Sequence, residues 1–148
     1  MNATTEDKVL TAVQGRLGRI TLNRPRAINA LDHEMIDEVR SALVAWEEDD
    51  DVVAVLVDGA GDRGLCAGGD VRMMRDSAIA GDTRAAAFWR AEYLLNAHIA
   101  RYTKPYVVLM DGVVMGGGVG ISAHGSARVV NERSVIGMPE TTIGFVPD

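Results

Sequence analysis

The sequence predicts an α/β domain with a parallel sheet, and two features of the chain lead to this fold class. Short apolar runs, "VVAVLVDG" at 52–59 and "PYVVLMDG" at 105–112, each end in glycine. Before and between these runs, apolar residues recur at the three- and four-residue spacing of amphipathic helices. Continuous apolar strands that alternate with helices are typical of a parallel sheet.

The N-terminal elements are two strands and a helix. Residues 8–15 and 16–23 alternate branched apolar and polar side chains across a glycine-containing turn, which predicts a pair of strands. A helix is predicted from Asp32, with Asp32 or Asn29 as its N-cap, because apolar residues follow at helical spacing: Met35, Ile36, Val39, Leu43 and Trp46. The acidic run 47–51 closes this helix and is interpreted as a solvated turn rather than a metal cluster.

The later elements repeat a design in which a strand is followed by glycine. The run at 52–59 predicts a strand that is buried on both faces. Asp70 is placed to cap the helix that "VRMMRD" begins. The run at 105–112 predicts another strand, and the long helix before it begins near Thr83, with apolar positions at Phe88, Ala91, Leu95, Ile99 and Tyr102.

Composition limits the classes of function. The chain has 148 residues, 47% of them hydrophobic, and no linker or low-complexity segment, so residues 1–148 are assigned to one domain. The 21 acidic and 15 basic residues give a net charge of −6, which argues against nucleic acid as a partner. The most apolar tract is interrupted by Asp111 and several glycines, so no membrane span is predicted. A start without signal-peptide features and the single cysteine, Cys66, predict a cytoplasmic location.

A literal dinucleotide-binding fingerprint, "GAGDRG" at 59–64, follows the first apolar run. In a dinucleotide-binding domain this loop runs directly into a helix whose N-terminus holds the pyrophosphate. Here "LCAGGD" follows and inserts two more glycines before a helix can start. The context therefore argues against a nucleotide site.

Two glycine-rich loops, "CAGGD" at 66–70 and "MGGGVG" at 115–120, each follow a predicted strand. Residues without a Cβ let the backbone approach a ligand closely, and the first N–H groups of a following helix are unpaired. Each loop taken alone is equally compatible with tight helix packing. Two loops together supply the paired N–H donors of an oxyanion hole, which stabilises the negative charge on a thioester or ester oxygen.

Four segments together resemble the crotonase superfamily, also called the enoyl-CoA hydratase/isomerase family: "RITLNRPRAINAL", "GLCAGGDVRMM", "KPYVVLMDGVVMGGGVGISAHG" and "MPETTIGFVPD". The resemblance implies a crotonase-like spiral of ββα repeats that binds acyl-CoA, with coenzyme A as part of the substrate and with no separate cofactor or metal. The family's chains are longer, so the chain is expected to be truncated or cleaved after the catalytic loop. A C-terminal remainder of the same protein is therefore an expected partner, and a homo-oligomer is a further expectation.

The site residues follow from this resemblance, position by position. The backbone N–H groups of Gly69 and Gly117 are implied to hold the thioester oxygen. Glu140 and Asp148 are implied to be the catalytic carboxylates, and Glu92 is placed near the acyl group, where it hydrogen-bonds a substrate hydroxyl. Further substrate-binding positions are Arg26, Ala27, Ile28, Ala67, Gly68, Asp70, Val71 and Pro139.

The positions of the acidic residues indicate which of the family's reactions the resemblance implies. Enoyl-CoA hydratases of this family use two glutamates, and the position of the first is occupied here by Gly120, which cannot activate the water that adds to a double bond. The second is kept as Glu140, and Asp148 stands where the hydratases typically have glycine. This pairing resembles that of the 3-hydroxyisobutyryl-CoA hydrolases, which implies hydrolysis of a short branched 3-hydroxyacyl-CoA to the free acid and CoA.

The residues leave the catalytic step and the function class open. Glu140 either attacks the thioester and forms an anhydride or acts as a general base on water, and Asp148 positions or activates that water or shares a proton with Glu140. An enoyl-CoA hydratase or isomerase and a non-catalytic CoA-binding fragment are the alternatives. "GISAHG" at 120–125 departs from a nucleophile elbow because His124 replaces its last glycine, so Ser122 is not expected to be a nucleophile.

Overall fold

A computed structural model describes residues 7–147 as seven strands, four α-helices and two short 3₁₀ turns. The strands are β1 (Val9–Gln14), β2 (Leu17–Leu22), β3 (Ala54–Gly59), β4 (Tyr106–Leu109), β5 (Val113–Met115), β6 (Ala127–Val129) and β7 (Val135–Gly137). The helices are α1 (His33–Glu47), α2 (Val71–Ala80), α3 (Arg84–Ala100) and α4 (Gly117–Ala123), and the 3₁₀ turns are Pro25–Ala27 and Glu140–Ile143.

The larger sheet has the strand order β1-β2-β3-β4-β6. Its first pair, β1 and β2, is antiparallel, whereas each of the pairs β2 with β3, β3 with β4, and β4 with β6 is parallel. The predicted α/β fold is therefore confirmed, and the sheet is parallel except for β1, which is antiparallel to β2 at one edge.

A second, smaller sheet gives the fold its spiral form. It pairs β5 with β7 in parallel, and an isolated bridge adds Cys66 beside Val114 of β5. Successive turns of the chain thus place one strand in the large sheet and the next segment in the small one. This arrangement puts the loop after Cys66 beside the loop that follows β5.

The core lies between the large sheet and helices α1 and α3. The helical face predicted for α1 is buried, and α3 contributes Phe88, Leu95 and Ile99 to the same cluster. The prediction that β3 is buried on both faces was wrong, because its other face is only partly buried. The physical reason is a polar network on that face, where Asp58 accepts hydrogen bonds from Arg19 and Thr21.

Both predicted aspartate caps are present. The Asp32 side chain accepts a hydrogen bond from Met35 N at 3.0 Å and caps α1, and Asp70 accepts one from Met73 N at 3.3 Å and caps α2. Asn29, the other candidate cap, instead lies buried in the preceding loop. "GAGDRG" does not lead into a helix, since α2 begins only at Val71, and this confirms the interpretation of that loop.

Replacing Gly18 by alanine is expected to destabilise the fold. A Cβ at this position would lie 2.6 Å from the Trp46 ring, whereas one at Gly137 would meet only Met115 Sδ at 3.4 Å, an ordinary contact. Overpacking of this kind costs about 1–3 kcal/mol. Urea unfolding of the complete protein should show this loss for Gly18→Ala and much less for Gly137→Ala; equal stabilities would contradict the packing described for Trp46.

Candidate active site

The two glycine-rich loops meet at a pocket of about 290 Å³, which lies beside the first turns of α2 and α4 and the middle of α3. Its lining includes eight of the residues predicted for the site: Ala67, Gly68, Gly69, Val71, Glu92, Gly117, Pro139 and Glu140. The other lining residues are Met74, Trp89, Tyr93, Gly116, Ile143, Phe145 and Val146. The fold therefore brings together, in one pocket, predicted site residues that are far apart in the chain.

The Gly69 N–H is oriented by pairing between two loop segments. Leu31 N donates to Gly68 O at 2.8 Å, and Asp70 N donates to Leu31 O at 2.8 Å. In such a parallel pairing the N–H of the intervening residue points away from the partner segment. Within residues 7–147 the Gly69 N–H has no hydrogen-bond acceptor, so it is available to a ligand.

The Gly117 N–H belongs to the first turn of α4. Gly116 precedes that helix as its N-cap with φ +48°, a left-handed conformation that favours glycine. Gly116 O accepts from Val119 N and Gly120 N, the first bonds of the helix. The Gly117 N–H is one of the initial N–H groups that a helix leaves unpaired, and it has no acceptor in the described part of the chain. The pocket is thus lined by two N–H groups without acceptors in the described residues, and a pair of such donors is what an oxyanion hole requires.

Cys66 fixes the spacing between the two loops. Its N–H donates to Val113 O at 3.1 Å, and its carbonyl accepts from Met115 N at 2.9 Å. A Cβ at Gly118 would lie 2.7 Å from Cys66 O, so glycine is needed for this approach. The thiol is fully buried, and burial raises the pKa of Cys66 to about 12, which disfavours the reactive thiolate.

Glu140 reaches the pocket from the C-terminal segment. Strand β7 pairs with β5, and Gly116 N donates to Gly137 O at 3.1 Å, which places the 3₁₀ turn that begins at Glu140 beside the glycine loop. A Cβ at Gly116 would lie 2.6 Å from Glu140 Oε1. Glu140 Oε2 is buried and has no hydrogen-bond partner among residues 7–147. A buried carboxylate oxygen without a partner is unusual, and in Glu140 it belongs to a side chain that lines the pocket.

Glu92 lies on α3 and faces the same loop. The residue is only 5% exposed, and its carboxylate is so close to Gly117 that a Cβ there would overlap Oε1. Glu92 is therefore a buried side chain that lines the pocket and not part of a solvent-exposed helix face. The sequence had given no reason, apart from the family resemblance, to expect a buried carboxylate on this helix.

The outer wall of the pocket is apolar. Trp89 and Phe145 contact each other edge to face, with ring centroids 6.0 Å apart, and this contact joins the C-terminal segment to α3. Trp89, Glu92 and Tyr93 are spaced three and four residues apart, so they share one face of the helix. That spacing was the signal in the sequence that could have identified Trp89 and Tyr93.

Four predicted substrate-binding residues lie outside this lining. Arg26 and Ala27 are exposed in the first 3₁₀ turn, and the Ile28 carbonyl accepts from Ala67 N at 2.8 Å. Asp70 caps α2 and pairs with Arg24 at 3.0 Å. Asp148, the predicted second catalytic carboxylate, lies outside the described residues.

The described residues give little support for a serine nucleophile, a metal site or a membrane-spanning helix. Ser122 is buried in α4, and its hydroxyl donates to Gly118 O at 2.6 Å, as is common for serine within a helix. Across residues 7–147, no group of three metal-ligating side chains is placed to hold a metal ion. No described helix combines the length and apolar character required to cross a bilayer.

Known proteins with similar sequences and structures share this arrangement over most of the chain. The enoyl-CoA hydratase/isomerase family model matches residues 17–148. Curated relatives include mitochondrial 3-hydroxyisobutyryl-CoA hydrolases of Gallus gallus, 48% identical over 95% of this chain, and of Xenopus tropicalis, 49% identical over 99%. The chain spans only 36% and 38% of the length of these two relatives.

Two solved structures are also similar to this chain in both sequence and fold. A carnitinyl-CoA dehydratase from Mycobacterium thermoresistibile is 57% identical and superimposes with a TM-score of 0.95 over 97% of this chain and 42% of its own. An enoyl-CoA hydratase from Rhodobacter sphaeroides is 47% identical, with a TM-score of 0.92 over 96% of this chain and 42% of its own. With its crotonase-like spiral and a family match over most of its length, this chain belongs to the enoyl-CoA hydratase/isomerase family.

Proposed function

We propose that the complete protein hydrolyses the thioester of a short branched 3-hydroxyacyl-CoA, of the 3-hydroxyisobutyryl-CoA type, to the free acid and CoA. The observation that carries this proposal is the position of the Glu140 carboxylate beside the two glycine loops, with a buried oxygen that has no partner among residues 7–147. The names of the curated relatives support the same reaction.

The thioester carbonyl binds with its oxygen toward the N–H groups of Gly69 and Gly117. Neither donor has an acceptor among residues 7–147, and both line the pocket. When a nucleophile adds to the carbonyl carbon, negative charge develops on the oxygen, and two fixed donors stabilise that charge without reorganising. The binding mode is common to thioester hydrolysis and to the other reactions proposed for this family.

Glu140 supplies the group that starts hydrolysis. In one route its carboxylate bonds to the thioester carbon, the C–S bond breaks, CoA thiolate departs and is protonated, and water then hydrolyses the anhydride and restores the carboxylate. In the other route Glu140 takes a proton from a water whose oxygen attacks the same carbon, and that proton is delivered to the departing thiolate. Both routes consume one water and release the acid and CoA.

Gly120 favours hydrolysis over hydration. In the hydratase pattern a glutamate at this position holds the water that adds to the double bond, but here a Cβ would lie 2.7 Å from Asn96 Nδ2. Glycine leaves no carboxylate at this point of α4. Glu92, one turn before Asn96, remains within the pocket, where we assign it to the 3-hydroxyl group of the substrate.

An enoyl-CoA hydratase or dehydratase is the second candidate. It is favoured by the two solved structures above, which are 57% and 47% identical to this chain and are named as a dehydratase and a hydratase. The two candidates share the oxyanion hole and differ in whether the C–S bond breaks. Release of free thiol therefore separates them.

The test is to assay the complete protein with 3-hydroxyisobutyryl-CoA and with crotonyl-CoA, while recording free thiol and enoyl absorbance. We expect rapid thiol release from the first substrate and weak loss of enoyl absorbance with the second, since Gly120 cannot activate the added water. Efficient hydration of crotonyl-CoA without thiol release would reject the hydrolase in favour of the second candidate. Absence of both activities would support a CoA-binding role without catalysis.

We also propose that a C-terminal remainder completes the site. Apolar side chains near the end of the described chain are strongly exposed, including Val130, Ile143 and Val146, and the curated relatives are longer than this chain. Additional chain from the same protein would cover these side chains and enclose the pocket. The cytoplasmic location remains a prediction; the curated relatives above are named as mitochondrial proteins.

A further inference from the structure

Asn29 is a buried polar residue with no direct part in the pocket. Its exposed fraction is 0%, and its backbone adopts a left-handed conformation with φ +53°. The residue before it, Ile28, is also left-handed with φ +48°, which is a marked exception for a β-branched residue. Two such residues in succession persist only where their surroundings hold them in place.

The Asn29 side chain provides that restraint. Its Oδ1 accepts from Arg24 N at 2.8 Å, and its Nδ2 donates to Ala60 O at 3.0 Å and to Gly64 O at 3.1 Å. Both amide hydrogens are therefore used, and one side chain connects the loop after β2 to the loop after β3. Close approach is essential here, because a Cβ at Gly59 would lie 2.7 Å from Nδ2.

The restrained loop is the one that orients the first oxyanion donor. Ala67 N donates to Ile28 O, Leu31 N donates to Gly68 O, and Asp70 N donates to Leu31 O, all at 2.8 Å. These three bonds set the register of residues 28–31 against residues 67–70. The register determines which way the Gly69 N–H points, because only the residue opposite Leu31 is turned away from the pairing.

We propose that Asn29 is a positioning residue for the Gly69 N–H, an inference that rests on the proposed function. By holding Ile28 and Asn29 in their left-handed conformation, its amide sets the direction of a donor that acts on the transition state. Loss of the amide is expected to loosen the register of the Gly69 segment while the Gly117 donor and Glu140 stay in place. A small displacement of one donor lowers turnover more than it lowers affinity.

The test compares Asn29→Gly with the matched control Asn23→Gly in the complete protein. Glycine tolerates φ +53°, so this change removes the three side-chain bonds without adding backbone strain. Asn23 lies in the same segment, but among residues 7–147 its side-chain amide bonds only to the carbonyl of the exposed Asp7. We expect kcat for thioester hydrolysis to fall roughly 10–100-fold in Asn29→Gly, with KM and the Kd for free CoA within about twofold of wild type and with the control unchanged.

A spectroscopic measurement makes the test independent of hydrolysis. In a Glu140→Gln background, a thioester labelled with ¹³C at its carbonyl is bound and its C=O stretching frequency recorded. Two aligned donors lower this frequency relative to solution, and Asn29→Gly should move it back toward the solution value. If the Glu140→Gln protein shifts the band but the protein with Glu140 intact releases no thiol, the proposed function fails and the role of Asn29 is still decided by the band.

Three outcomes would overturn the role proposed for Asn29. The first is a folded Asn29→Gly protein with unchanged kcat and an unchanged carbonyl band. The second is a parallel loss of kcat and CoA affinity, which would make Asn29 a general structural residue. If Asn29→Gly fails to fold, Asn29→Asp replaces it. This variant keeps the acceptor for Arg24 N and loses both donated bonds. The third outcome is an unchanged carbonyl band in Asn29→Asp.

Discussion

The Glu140→Gln variant of the complete protein is expected to lose about 10²–10⁴-fold in kcat for thioester hydrolysis. Glutamine keeps the shape of the side chain but is neither a nucleophile nor a base of useful strength. Because the carboxylate lies at the reacting end of the pocket, the affinity for CoA should change far less than turnover. Stopped-flow detection of free thiol, together with calorimetric titration of CoA, measures both quantities.

Glu132→Gln is the matched control, since Glu132 is exposed and the chemical change is identical. It should leave kcat and CoA affinity at their wild-type values. Asp148→Asn is expected to fall in the same range as Glu140→Gln if the second predicted carboxylate serves the same reaction. A folded Glu140→Gln protein with wild-type thiol release would remove Glu140 from the mechanism and with it the main support for the hydrolase.

Helices α1 to α3 and strands β1 to β4 were predictable because each is encoded locally. The apolar spacing from Met35 to Trp46 describes a buried helical face, and it is that face which packs in the core. Asp32 and Asp70 were recognisable as caps because a capping side chain reaches only to the third residue along the chain. Such signals need no knowledge of the rest of the fold.

The small sheet could not be predicted in this way. Strands β5 and β7 have three residues each, too few for a periodic pattern to identify them. Their pairing nevertheless carries Glu140 to the glycine loop, so the position of the proposed catalytic carboxylate depends on a contact between segments that are distant in sequence. Only the family resemblance indicated where Glu140 would lie.

Asn29 shows the other limit of sequence reasoning. Asparagine just before a helix is commonly an N-cap, and the sequence offered no reason to prefer a buried position. Its role depends on carbonyl groups of Ala60 and Gly64, which are more than thirty residues away along the chain. Main-chain partners of this kind have no signature in the identity of the side chains.

Gly117→Pro is expected to lower kcat by about 10²–10³-fold, the usual effect of losing one oxyanion donor. Proline has no N–H, and Gly117 is the first residue of α4, where proline is well tolerated in a helix. The helix should therefore persist while the donor is lost. Thiol release gives kcat, and circular dichroism and the Tm of the complete protein establish that the variant is folded.

The variant needs a control for its added bulk, because any Cβ at position 117 overlaps the Glu92 carboxylate. Gly117→Ala supplies that control, since it introduces the same Cβ and retains the N–H. Displacement of Glu92 would affect both variants alike, whereas loss of the donor affects proline alone. The ratio of the two kcat values thus isolates the N–H group, and a ratio near one would show that Gly117 contributes space for Glu92 and no hydrogen bond to the thioester oxygen.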